Sequence, residues 1–481
     1  MHPSEARTGR ATLAWQAEAQ CHLVFDIQNI SNGLCLKVST CDVSPVFDLY
    51  GRWVVSSGVL DRIRAQTGMR SRGGIYSLAV VLWLMIWQRL QPRSTMSLAV
   101  LQLVQGGGHS LLSSCKRVRE SHISQAPGGY CQGVQKMPKL VPQLVTRDVV
   151  ARLSEQLGEP WPGLAGPVYV LDGSTLQLAH TRKLVRAYPL GNNQHGTGHW
   201  PILRIVVLHD VSSGLALYPK WGPFHGDQAV SEQGLAAQAL DQLPLHATVI
   251  ADRNFGVFSI AWEAAQRQLG ILVRLTDVRA RKLFGGPIAQ EGDYAVQWQA
   301  SRWDQPQVRP WPQGASLPGR LIAVRVGRGR SKKWQYFFTT LPLSVAEIVA
   351  LYGERWNIET DLRSLKRTVH LQQIHARSVD GMEKELLTAI CAYNFVRTVM
   401  CLAARREGIP SRRLSFTRVL DIVNAAWPRL TSAGTKAAHD AEFEQVLNWA
   451  ADCKLPVRRK RHHYPREVWG RGYHFPIRKT K

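Results

Sequence analysis

Tyr352, Arg355, Glu359, Arg363 and Lys366 lie in the stretch YGERWNIETDLRSLK at offsets of three, four, four and three. That is the period of one α-helix, which sets an acid among bases on a single face. Ile358, Leu362, Leu365 and Val369 repeat at the same period and form the stripe such a helix would bury. Upstream, two further acids follow short apolar runs, Asp172 in VYVLDGS and Asp252 in HATVIADRNFG. Phosphoryl transfer on a nucleic acid gains most from two divalent cations about 3.5–4 Å apart. Hard cations such as Mg²⁺ take oxygen ligands and keep water for the remainder. Asp172 and Asp252 would bridge and flank the metals, with Glu359 completing the set from the helix. Arg355 would grip a phosphate bidentately, Lys366 would act on one as a point charge, and Tyr352 would donate to a phosphate oxygen or stack on a base. Three packed carboxylates repel one another without metal, so the empty site is expected to be poorly ordered or partly protonated. Plainer readings exist for each piece. Aspartate after a strand is a turn former, and Arg355, Glu359 and Arg363 also suit i,i+4 ion pairs on a solvated face.

The elements that must hold these residues alternate between strands and helices. Runs at 168–174, 201–210 and 214–221 read as strands, 228–243 as a helix, 246–252 as a strand, 257–268 as a helix and 270–275 as a fifth strand. Strands and helices in that order predict a ribonuclease H-like α/β core with the first and fourth strands side by side. Asp172 and Asp252 then stand at strand carboxyl ends, where open α/β sheets build their sites. The segment 276–341 reads as a β-rich insertion whose last hairpin turns at the basic GRGRSKK. Ser344 and Glu347 form a capping-box signature that starts the helix carrying Tyr352 to Lys366. A long helix at about 383–405 is apolar nearly all round and is expected to be buried. Asp210, ahead of VSSG, is assigned to a hairpin turn. No helical or hairpin spacing joins His195, His199, His462 and His463, which read as solvated or nucleic-acid-facing side chains rather than ligands.

Composition bounds the partners. With 60 Lys+Arg against 35 Asp+Glu, the formal charge of +25 attracts polyanions, nucleic acid first. The longest strongly apolar run, Leu78 to Trp87, is about half a spanning helix and reads as buried, and MHPSEARTGR leads into no secretory signal. These features point to the cytoplasm and away from a membrane. The eight cysteines contain no CxxC pair and read as reduced thiols. Six segments follow: an unassigned leader at 1–48, a helical DNA-binding domain at 49–160, the first part of the core at 161–275, the β-rich insertion at 276–341, the helical remainder of the core at 342–440 and a basic tail at 441–481. The bases Arg62, Arg64, Arg70, Arg72, Lys116, Arg117 and Arg119 mark the helical domain as a DNA-contacting candidate, with a solvated cap as the alternative.

The spacing Tyr352-x2-Arg355-x3-Glu359-x6-Lys366 resembles the Y-R-E-K signature of the insertion element 4 family of bacterial DDE transposases. LDGST around Asp172 and ADRNFG around Asp252 resemble that family's first and second acid motifs, in the right order. The likeness extends over about residues 50–440. It implies that Asp172, Asp252 and Glu359 are a catalytic triad holding two Mg²⁺ ions, with Mn²⁺ as a substitute, and that Tyr352, Arg355 and Lys366 hold DNA near the cut. It also implies a homodimer on paired terminal inverted repeats, cleavage through hairpinned ends, and joining to target DNA in the nucleoid. Trp298, Trp303 and Trp334 are candidates for the base contacts that a hairpin step needs. A catalytically silent DNA-binding regulator of transposition with the same fold is the alternative, and a plain nuclease a third.

The chain ends with ten Lys+Arg and one acid over 454–481, a composition that acts on phosphates regardless of sequence. Deleting 454–481 is expected to weaken binding to all duplexes alike and to flatten the dependence of log K on log salt. An unchanged slope in a salt titration would make the tail a structural element instead.

Overall fold

The computed structural model describes residues 65–66, 74–92, 95–106, 123–157, 161–193, 196–302, 304–326, 332–432 and 435–456, all within the unit Ser44–Lys481. The leader at 1–48, the seven bases named for the helical domain, His195, Trp303, His462, His463 and the tail from residue 457 lie outside the described residues.

Eight strands form one mixed sheet: β1 Val168–Gln177, β2 Ile202–Asp210, β3 Lys220–Pro223, β4 Thr248–Ala251, β5 Gly270–Leu275, β6 Gly292–Gln299, β7 Ser316–Val326 and β8 Lys333–Thr339. Their order is β3-β2-β1-β4-β5-β8-β7-β6. The first and fourth strands are neighbours, as the sequence predicts, with β1 parallel to β4 and antiparallel to β2. Burial follows position in the sheet. Every residue of central β4 is buried, whereas edge strand β6 alternates half-buried with exposed residues. The third strand starts six residues later than its apolar run. Ala216 makes only an isolated bridge to His209, and ladder pairing resumes at Lys220, beyond Pro219, which has no N–H to donate. The β-rich segment 276–341 extends the same sheet, because β8 pairs antiparallel with β5 from Tyr336↔Leu275 to Thr339↔Leu272.

The helices are α1 Leu78–Leu90, α2 Met96–Val104, α3 Gly128–Lys136, α4 Leu140–Leu157, α5 Glu232–Ala239, α6 Phe258–Ala265, α7 Asp277–Phe284, α8 Val345–Gly353, α9 Trp356–Arg363, α10 Val379–Arg406, α11 Phe416–Ser432 and α12 Lys436–Ala451. A short turn of helix, Arg182–Ala187, follows β1. Helix α10 is long and apolar enough to cross a membrane, but its apolar stretch is wholly buried inside the protein. Helices α1, α4, α11 and α12 pack around it. Cys131, Cys391, Cys401 and Cys453 carry thiols rather than disulfides. Residues 441–451 of the segment read as a basic tail belong instead to helix α12, and beyond it Lys454 pairs with Glu407 at 2.7 Å and forms a β-bridge with Leu414.

The stretch from Tyr352 to Lys366 departs from the single helix its period predicts. The capping box of Ser344 and Glu347 starts α8 as expected, but α8 ends at Gly353, a poor helix former. The next turn is tightened by i→i+3 bonds, Glu354 N to Leu351 O and Arg355 N to Tyr352 O, both 3.1 Å. Helix α9 then runs into a five-residue π-helix, Ser364–Thr368, closed by Val369 N to Ser364 O at 3.0 Å. Overwinding before α9 and underwinding after it take the five polar residues off one straight face. The apolar stripe survives, with Ile358, Leu362, Leu365 and Val369 all buried.

One ion pair ties α9 to the sheet. Asp361 is buried, and its carboxylate accepts from Arg412 Nη1 at 2.8 Å. Arg412 Nε also donates to Val211 O at 3.0 Å, just past the end of β2. Burial pushes the Asp361 carboxyl up, but the Arg412 and Arg397 guanidiniums outweigh it and hold it below the ordinary value. Asp210 takes the turn role expected of it. Its Oδ1 accepts from Ser212 Oγ, Ser213 N and Ser213 Oγ at 2.7, 2.6 and 2.7 Å. Stripping a buried acid of its partner costs about 3–5 kcal/mol. Arg412→Met is therefore expected to lower Tm steeply, while Arg363→Met at an exposed position changes stability by under about 0.5 kcal/mol. Equal Tm values for the two variants would show that the pair does not hold α9.

Candidate active site

The parallel ladder between β1 and β4 ends at Leu171↔Ala251, so the next residues, Asp172 and Asp252, emerge side by side. Asp172 does not stand at the end of its own strand. Strand β1 runs on to Gln177 because its antiparallel pairing with β2 continues from Asp172↔Val207 to Gln177↔Ile202. Only the shorter parallel neighbour stops there, which opens the sheet at that level. Asp252 takes the turn role that the plainer reading offered it. It follows the strand, and its Oδ1 accepts from Asn254 N at 2.8 Å in a turn.

Asp172 Oδ1 accepts from the Gly173 amide at 2.8 Å. Burial pushes its carboxyl up to about 6. The negative charges of Asp252 and Glu232 push the same way, against the Gly173 amide and the Arg355 guanidinium. The direction is the one expected of an empty acidic site, but burial is its main cause, and the third acid expected there, Glu359, does not contribute to it. Glu232 was not anticipated from the sequence. It occupies the first turn of α5, behind the Ser231 cap, and its carboxyl is raised by burial and by Asp252, with Arg204 acting in opposition. No spacing links it to the other acids, and only the folding of α5 over the sheet brings it to Asp172.

Glu359 stands apart in this state. Its Oε1 accepts from Arg355 Nη2 at 3.1 Å, the i,i+4 pair that the plainer reading offered. Among the described residues no group of three His, Cys, Asp or Glu side chains is gathered closely enough to hold a metal ion. Arg355 also lies 5.5 Å from the ring of exposed Trp356. Tyr352 is buried against Phe337 with ring centroids 4.6 Å apart, and burial pushes its phenol up to about 12. Lys366, carried round by the π-helix, donates from Nζ to Ser174 Oγ at 2.9 Å, two residues beyond Asp172 on the same face of β1. Burial, then the neighbouring Arg367, lower its pKa. Trp298 packs into the core against Phe258 and Phe338. Trp334 stacks on Tyr336 beneath the Arg325 guanidinium. His199 stacks on His180 and meets Trp200 edge-on.

The donor set fits a hard divalent cation. It offers carboxylate oxygens alone, and the Asp172 carboxyl, raised by burial first and then by the charges of Asp252 and Glu232, would be favoured in its charged form by a cation. Asp172 and Asp252 would hold such an ion, and Glu359 would join them on leaving Arg355. A folded-state value of about 6 against an ordinary 3.8 means that folding binds a proton at Asp172. Folding carries no penalty from this group below about pH 3.8, where it is protonated in both states; the penalty builds as pH rises from there and is fully present above about 6. Asp172→Asn is expected to stabilise the metal-free protein by roughly 1–2 kcal/mol at about pH 7.5, allowing for partial solvent access, and hardly at about pH 4. Added Mn²⁺ should raise the Tm of the wild type more than that of the variant. Equal destabilisation by Asp172→Asn at both pH values would refute the crowding.

Residues 164–395 match the family of transposase DDE domains. The chain is 25% identical over 336 residues to the transposase InsG for insertion sequence element IS4 of Escherichia coli (strain K12), spanning 67% of this chain and 71% of that protein. Among solved structures, a piggyBac transposase synaptic complex with hairpin DNA aligns over 84% of both chains at 11% identity and a TM-score of 0.39, too remote to carry an argument. Domains of the DDE type work with divalent metal ions. With two neighbouring acids followed by Tyr352, Arg355, Glu359 and Lys366 in the signature spacing, residues 164–395 match a transposase DDE domain and the chain is similar to the insertion element 4 family of transposases, enzymes that cleave DNA.

Proposed function

We propose that the protein binds the terminal inverted repeats of its own insertion sequence, cuts the DNA there and joins the freed 3′ ends to target DNA. The observation that carries this is the end of the β1–β4 ladder. It sets Asp172 beside Asp252, and Lys366 reaches the same strand face two residues on. On this reading the sheet order β3-β2-β1-β4-β5 is that of a ribonuclease H-like core. Asp172, Asp252 and Glu359 are the ligands of two Mg²⁺ ions, which Mn²⁺ can replace. Bound there, the ions activate the attacking oxygen and offset charge on the leaving one.

The chain's own residues prepare the DNA. Arg355 presents a planar fork to one phosphate, and Lys366 places a point charge beside Ser174 for another. Tyr352, its hydroxyl next to Arg355, donates to a phosphate oxygen. An arriving phosphate competes with Glu359 for the Arg355 guanidinium, so DNA entry itself frees the third carboxylate. The protein acts in the cytoplasm on nucleoid DNA, as a homodimer on two paired ends, and excises its element through hairpinned ends.

The Arg355–Glu359 pair also favours a second reading, a DNA-binding regulator that keeps the fold with its third acid locked away. Cleavage separates the two. Duplexes carrying the element's ends should be nicked in Mg²⁺ or Mn²⁺, and Asp172→Ala, Asp252→Ala or Glu359→Ala should abolish nicking while end binding persists. Undiminished cleavage by all three variants would sink the assignment. Tight end binding by the wild type without cleavage in either metal would leave the regulator.

A further inference from the structure

Glu232 lies outside every motif of the chain, yet the first turn of α5 places it within the site. Its carboxylate accepts from Asn254 Nδ2. The adjacent Gln233 donates from Nε2 to Asn254 O at 2.9 Å. Asn254 is thus held at its side-chain amide and at its carbonyl by two successive residues of one helix turn. Its remaining backbone group, the N–H, points at Asp252 Oδ1 at 2.8 Å. The chain of contacts runs from Glu232 through Asn254 to the carboxylate that flanks Asp172.

The opposite side of Glu232 meets the strand. A Cβ built on Gly173 would collide with the Glu232 carboxylate. The glycine after Asp172 therefore leaves the room in which this side chain lies against β1. An acid placed against two other acids is electrostatically costly. Cap formation at Ser231 does not require it either, since Ser231 Oγ accepts from Gly234 N at 2.8 Å.

We propose that Glu232 is a positioning residue of the cleavage site, which fixes Asn254 and through it the orientation of Asp252 for metal. The inference rests on the metal-site reading of Asp172 and Asp252 given above. Groups that orient a metal ligand typically contribute 10–100-fold to metal affinity. Because the tether needs only an acceptor, glutamine can replace the acid in it.

The test is Mn²⁺ binding by the full chain, measured by isothermal titration and, on the same samples, as the Mn²⁺-induced rise in Tm. Glu232→Ala is expected to weaken Mn²⁺ about tenfold, and Glu232→Gln to restore affinity to within about threefold of wild type. A role confined to packing α5 would lower the Tm of Glu232→Ala without changing the Mn²⁺ affinity of the folded protein, and that result overturns the proposal. Glutamine as weak as alanine also overturns it, since charge rather than a tether would then be at work. Asp172→Asn is the control for the underlying reading. Loss of Mn²⁺ binding there with both Glu232 variants at wild-type affinity rejects the positioning role alone. Mn²⁺ binding indifferent to Asp172→Asn rejects the metal site, and the positioning role with it.

Discussion

The contact between Asp361 and Arg412 is the constraint on which the site's third wall depends. Helix α9 is only eight residues long, sits between an overwound turn and a π-helix, and carries Glu359 on an exposed face. Such a helix has little stability of its own. The buried carboxylate of Asp361 supplies an anchor that apolar packing alone would not, because a guanidinium bonded also to Val211 O fixes where along β2 the helix sits. Burying the pair is costly in desolvation. What it secures is register, with Ile358 and Leu362 pressed inward beside it while Glu359, two residues before Asp361, faces out.

The two aspartates are held by a different logic. Their separation follows from backbone pairing, which is the most rigid positioning a protein offers. Glu359 by contrast is placed by side-chain packing on a jointed helix, and Arg355 competes for it. The site thus has a fixed half and an adjustable half. In the fixed half, burial raises the pKa of Asp172, and the charges of Asp252 and Glu232 add to it. In the adjustable half, the acid is paired with its own neighbour, Arg355.

Much of this was legible in the residues. Alternating apolar runs and turn chemistry identified the strands, and the order of strands and helices predicted that those bearing Asp172 and Asp252 would be neighbours. The capping box and the apolar stripe of the Tyr352–Lys366 stretch were read correctly as well. The helical period misled at that same stretch. Periodicity sums rotation over many residues, and a tightened turn followed by a loosened one nearly cancels in the sum. The third strand was misjudged because Pro219 interrupts a run that hydropathy treats as continuous. Glu232 was invisible for a deeper reason. Its partners, Gly173 and Asn254, are local to other segments, so only the closing of the sheet and the docking of α5 define its neighbourhood.

Gly173 joins those segments in another respect. Its backbone lies outside the left-handed region, so nothing in its own conformation demands glycine. The demand comes from the volume of Glu232. Positions 173 and 232 therefore share one volume, and a methyl group at 173 requires the end of the Glu232 side chain to move aside.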